Sequence, residues 1–119
     1  MQPSTFREIQ DQIRDFVEVR EWGQFHSPKN LAAAISVEAG ELLAHFRWIS
    51  EADSQSIVNR PEIRAEVDAE IADVLILTLE LADRLGLDPA EAIRRKLAVN
   101  EARYPVDKSR GRNVKYTQL

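Results

Sequence analysis

The sequence predicts an all-α chain, a bundle of four helices, and three observations carry that expectation. Apolar residues recur at steps of three and four, the spacing of one helix face. Ser27-Pro28 and Asp88-Pro89 each pair an N-cap side chain with a proline at the first helical position, where its missing N–H costs nothing. No segment alternates apolar and polar residues for more than a few positions, so no strand is expected.

Each element follows from its own residues. Phe6, Ile9, Ile13, Phe16 and Val17 predict an amphipathic first helix over about 4–21, and Trp22-Gly23 ends it. Ser27-Pro28 opens a second helix to about Trp48, with Leu31, Ile35, Leu42 and Ile49 on one line. Residues 50–60 are polar and read as a loop with room for one helical turn. Pro61 opens a third helix to about residue 85, with Ile63, Val67, Val74, Leu81 and Leu85 as its apolar stripe. Gly86 stops it, since glycine takes the left-handed C-terminal position without a Cβ penalty. Asp88-Pro89 opens a fourth helix to about Arg103, and Pro105 closes it. Residues 1–105 are expected to form the domain, and 106–119 an irregular basic tail.

Composition narrows the function. With 119 residues the chain suits one modest core, and so small a bundle with very apolar second and third helices is expected to gain buried surface by self-association. A net charge of -4 argues against duplex nucleic acid as the main partner. The absence of cysteine excludes disulfides, zinc–thiolate sites and thiol nucleophiles. The N-terminal residues show no apolar signal-peptide core, and no apolar run reaches membrane-spanning length. A cytoplasmic address with no membrane partner is expected.

The chemistry is carried by two acidic pairs, Glu38-Ala39-Gly40-Glu41 and Glu70-Ile71-Ala72-Asp73. The i,i+3 spacing puts both carboxylates of a pair on one side of a helix. On the helical wheel Glu38 and Glu70 fall within the apolar stripes, with Glu41 and Asp73 about 60° to one side. Carboxylates in such a setting are costly unless something positive meets them. If the second and third helices pack antiparallel, the four acids converge, raise one another's pKa values, and suit Mg²⁺, a hard cation that prefers oxygen ligands. The bland alternative is solvated surface acids, and Glu62, Glu66, Asp68, Glu80 and Asp83 are read that way.

Further groups suit a nucleotide. Trp22, Phe25 and His26 precede the second helix and Trp48 ends it; such aromatics can stack on a base or simply plug the end of a bundle. His26 also reads as a loop histidine with one backbone hydrogen bond. Trp48 and His45 share the side of Glu41. Lys96, Asn100 and Arg103 form a polar stripe on the fourth helix that could meet phosphates or only solvent. The tail adds Lys108, Arg110, Arg112 and Lys115.

These residues together resemble the MazG-like all-α nucleoside triphosphate pyrophosphohydrolases, in particular the dCTP pyrophosphatase branch. The resemblance rests on Trp22, Phe25-His26, Pro28-Lys29-Asn30-Leu31, the two acidic motifs, Phe46-Arg47-Trp48 and Asn100-Glu101-Ala102-Arg103-Tyr104-Pro105. It implies a four-helix core assembled as a homodimer or homotetramer. It implies Mg²⁺ held by Glu38, Glu41, Glu70 and Asp73, and cleavage of a (deoxy)nucleoside triphosphate, dCTP or a modified dCTP first, to the monophosphate and pyrophosphate. It implies phosphate or sugar contacts from Lys96, Asn100, Arg103 and Tyr104, and a nucleoside end shaped by Trp22, His26, Asn30 and Trp48. A water activated by the cation and Glu41 or Glu38 is expected to attack the α-phosphorus. Two positions depart from the pattern. Val37 stands where relatives often carry another glutamate, and Ile13 where some carry a histidine near the base. Rival readings are another nucleotide, such as dUTP or phosphoribosyl-ATP, and a helical nucleotide-binding or interaction module without turnover.

Overall fold

Thr5 caps the first helix by accepting a hydrogen bond from the Glu8 N–H at 3.2 Å in the computed structural model, which describes residues 5–119. The expected helix start at residue 4 and the reading of residues 1–4 lie outside the described residues. Helix α1 runs Phe6–Glu18, and a 3-10 turn follows at Trp22–Phe25. Helix α2 spans Pro28–Ala44, a short α3 Glu51–Ser56, and α4 Pro61–Arg84. Helix α5 spans Pro89–Arg103, α6 Val106–Ser109, and a last 3-10 turn Tyr116–Gln118. No strand occurs among the described residues.

The expected starts hold for physical reasons that were visible. Ser27 accepts from the Asn30 N–H at 3.2 Å and Asp88 from the Glu91 N–H at 3.2 Å, each satisfying a donor that a helix start leaves unpaired. Three differences stand out. Helix α1 stops at Glu18, because Glu21 takes a left-handed backbone at φ 54. Helix α2 stops at Ala44, with turns over residues 45–48; the His45 and Phe46 N–H groups bond to Leu42 and Leu43, tightening the end. The segment 50–60 is more ordered than a loop, since Ser50 caps α3 and accepts from the Asp53 N–H at 3.1 Å. The tail likewise holds a short helix and a turn rather than being wholly irregular.

The chain divides into two compact units, Met1–Gly86 and Leu87–Leu119. In the first, α2 packs most extensively on α4, and α1 also lies on α4. Its core includes Ile13, Val17 and Leu79, with Ile9 packed beside them. Leu31, Ile57 and Val67 are also buried. Gln10 is buried between α1 and α4 and donates to the Leu79 carbonyl at 3.0 Å, so its polar end is satisfied. Large apolar side chains stay exposed on both central helices, among them Val37, Leu43, Ile71, Leu75 and Ile76. In the second unit Ile93, Leu97 and Val99 of α5 are exposed. No helix among the described residues is long and apolar enough to cross a membrane.

Candidate active site

The face-to-face packing of α2 on α4 brings acids from both expected pairs together. Glu38, Glu70 and Asp73 each offer a carboxylate oxygen, and the three oxygens lie within 4.8 Å of one another. Glu38 and Glu70 are half-buried and Asp73 is exposed. Burial raises the Glu38 carboxyl above its ordinary pKa, followed by its hydrogen bond with Glu70 and the charges of Asp73, Glu70 and Glu41. Glu70 also holds one oxygen, Oε2, that is buried with no hydrogen-bond partner. A buried, unsatisfied carboxylate oxygen among two other acids is the situation a bound cation resolves. The donor set is all hard oxygen, which fits Mg²⁺. Glu41 is not in the group; it is exposed and acts on Glu38 through its charge.

The aromatic turn is organised by ring contacts and by α4. The Trp22 ring meets Phe16 edge-on at 5.6 Å and lies 6.2 Å from the His26 ring. The Arg20 guanidinium stacks 3.8 Å above Phe16. Asn30 turns its amide back to the Phe25 carbonyl at 3.0 Å, closing the turn onto the start of α2. His26 Nδ1 lies 2.7 Å from Glu80 Oε2. Its partner is therefore a carboxylate rather than a backbone group.

Glu80 and Asp83 are not solvated surface acids. Glu80 is 7% exposed and has Arg84 Nε 3.5 Å from the same oxygen that His26 meets. The Asp83 side chain is only 13% exposed and pairs with Arg7 and Arg14 of α1. Arg84 in turn donates to the Gly23 carbonyl at 3.4 Å. A cavity of about 280 Å³ lies among these groups, lined by Ile13, Val17, Arg14, Gly23, Glu80 and Arg84. Glu80 is the residue that motif reading missed. It stands seven positions after Asp73, about 20° from it on the helical wheel, so it shares the face of an acid already singled out.

Trp48 is 83% exposed, with the Arg47 guanidinium 4.7 Å from its ring. His45 Nδ1 lies 3.7 Å from Glu66 Oε2. In the second unit, Lys96 is exposed and Asn100 half-buried along α5. Arg103 lies 4.6 Å over the Tyr116 ring, and Tyr104 meets the same ring edge-on at 6.0 Å. The tail thereby orders two of the four residues expected at phosphate or sugar.

The chain as a whole is similar to known proteins. The sequence profile described as the MazG-like family matches residues 33–119. The dCTP pyrophosphatase 1 of Rattus norvegicus is 40% identical over 115 residues, covering 97% of this chain and 68% of the rat protein. The dATP/dGTP diphosphohydrolase of Cyanophage S-2L is 37% identical over 101 residues, covering 85% of this chain and 78% of the phage protein. The crystal structure of a pyrophosphatase from Archaeoglobus fulgidus superposes with a TM-score of 0.78 at 41% identity, covering 88% of this chain and 96% of that one.

Proposed function

The chain belongs to the MazG-like family, and from that premise we propose that it is a Mg²⁺-dependent nucleoside triphosphate pyrophosphohydrolase acting on dCTP or a modified dCTP. The observation that carries the proposal is the convergence of Glu38, Glu70 and Asp73, with a Glu70 oxygen buried and unpaired. A relative named dCTP pyrophosphatase 1 at 40% identity supports the choice of base. The phage relative, named for dATP and dGTP, supports a purine deoxynucleotide as the second reading.

Glu38, Glu70 and Asp73 would hold the cation. When bound, Mg²⁺ supplies a Lewis acid at the phosphate oxygens and neutralises the charge that develops there. Glu41 stands beside this group, free to accept the proton of a water aimed at the α-phosphorus. Trp22 offers a ring face to the base, and His26 and Asn30 fix the turn that carries it; Trp48 completes the nucleoside end. In the second unit Lys96, Asn100, Arg103 and Tyr104 are assigned to phosphate and sugar. The catalytic domain is taken as 1–105, with 106–119 as a basic tail. Apolar side chains left exposed on α2 and α4 support a homodimer or homotetramer.

The test is a panel of deoxynucleoside and nucleoside triphosphates with Mg²⁺, with products identified. Monophosphate and pyrophosphate from dCTP, abolished by EDTA, are the expected result. No product above the EDTA control from any nucleotide sinks the proposal.

A further inference from the structure

The contact between His26 and Glu80 does more than close a turn. An ionised carboxylate can only accept hydrogen bonds. With Oε2 at 2.7 Å from Nδ1, the imidazole carries a proton on Nδ1. The neutral ring then has its lone pair on Nε2. Free histidine has no such constraint, and a histidine held by a backbone N–H would take the opposite tautomer. Glu80 is itself fixed: it is 7% exposed, and Arg84 Nε lies 3.5 Å from the same oxygen. Arg84 also reaches the Gly23 carbonyl at 3.4 Å. Two adjacent turns of α4 thus grip the Trp22–Phe25 turn, one through His26 and one through Gly23.

We propose that Glu80 is a positioning residue for the nucleoside: it fixes the His26 tautomer, so that Nε2 accepts a hydrogen bond from a nucleoside donor. The donor is an exocyclic amino group of the base or a hydroxyl of the sugar. The inference rests on the assignment of Trp22 and His26 to the nucleoside end of the substrate. Glu80 touches no substrate in this scheme. It acts through an imidazole whose side chain is about one-quarter exposed, 24%.

Two measurements on the full chain test this. The first is ¹⁵N-resolved NMR of the side chains of the two histidines, assigned with His45→Ala. In the wild type, neutral His26 should show a protonated Nδ1 and a bare Nε2. Glu80→Ala should shift it toward the mixture seen in free histidine. A wild-type His26 protonated on Nε2, or a pattern that Glu80→Ala leaves unchanged, overturns the proposal.

The second is steady-state kinetics. Glu80→Ala should raise KM for dCTP about tenfold, the size expected for one lost hydrogen bond, with kcat little changed. In a His26→Ala background it should add nothing further. An equal KM penalty in that background overturns the proposal and leaves Glu80 as a purely structural anchor. A penalty that vanishes for dUTP identifies the amino group as donor; one that vanishes for the 3′-deoxy analogue identifies the sugar hydroxyl. Should Glu80→Ala fail to fold by circular dichroism, Glu80→Met replaces it in both measurements, since it keeps the length of the side chain and offers no oxygen to Nδ1. Absence of any wild-type turnover would refute the proposed reaction, while the nitrogen spectra would still decide the role of Glu80.

Discussion

Arg14 holds both carboxylate oxygens of Asp83 through one nitrogen, at 2.7 and 2.8 Å, its Nε donates at 3.1 Å, and Arg7 adds a fourth contact at 3.2 Å. Burial works to raise the Asp83 pKa, but the hydrogen bonds and charges of Arg14 and Arg7 outweigh it and hold the carboxyl below its ordinary value. Two residues of α1 thereby clamp onto the last turns of α4.

That clamp fixes a direction for acid unfolding. A carboxyl whose folded pKa is depressed stabilises the fold above its unfolded pKa, and the contribution is lost as pH falls through the folded value. Asp83→Asn should therefore lower stability at neutral pH and flatten the loss of stability below about pH 4, the ordinary aspartate range. Urea titrations across pH would read this out. High salt should shrink the difference between variant and wild type, because the partners are largely exposed.

Glu38 predicts the opposite sign. Its pKa is raised in the folded chain, so without metal the folded state binds more protons than the unfolded state between the two values. Metal-free stability should fall as pH rises through that window. Added Mg²⁺ should reverse the trend, since protons and cation compete for the same oxygens. Thermal melts with EDTA and with Mg²⁺, from pH 4 to 8, would show the two slopes diverging.

Substitution within the acidic group should separate activity from stability. Glu70→Gln removes one charge from three crowded carboxylates, so the metal-free melting temperature should hold or rise. Turnover should drop by about 100-fold or more, the scale at which loss of a charge-stabilising group is felt. A variant that keeps more than a tenth of the activity would remove Glu70 from the site.

The core of the first unit is small, so it should be sensitive. Leu79 packs with Ile13 and Val17, and Leu79→Ala should cost about 2–4 kcal/mol by leaving a cavity. Chemical denaturation gives this directly.

The exposed apolar face of α4 bears on assembly. Ile71 and Leu75 are one helical turn apart and both exposed. If copies of the chain associate through them, the double change to lysine should convert the assembly to monomer in light scattering. An unchanged mass would place the interface elsewhere.

Much of this was legible in residue order. The helix starts at Pro28 and Pro89 were marked by side chains whose only local task is capping. The meeting of Glu38, Glu70 and Asp73 was legible because two acidic pairs sit at matched depth in adjacent apolar helices, although Glu41, expected with them, lies outside the group. Glu80 was not, because a single acid near a helix end looks like solvated charge until its histidine partner, 54 residues earlier, is brought to it. The early end of α1 was hidden for a different reason: Glu21 gives no sequence sign of a left-handed backbone, which most side chains avoid. Trp48 lies beyond the end of α2 at Ala44, so a helical wheel does not give its place relative to Glu41.

Helix α4 also works as a ruler. Asp73 and Glu80 are seven residues apart, which a straight helix converts to about 10 Å along its axis. On the proposed reading, one end of that length would be set by the cation and the other by His26, which Glu80 holds. Because both marks are cut into one rigid rod, the spacing cannot be retuned by loop movement. Inserting a single residue between them would turn Glu80 by about 100° and leave the helix intact. Any drift in preferred substrate length must therefore be sought outside α4.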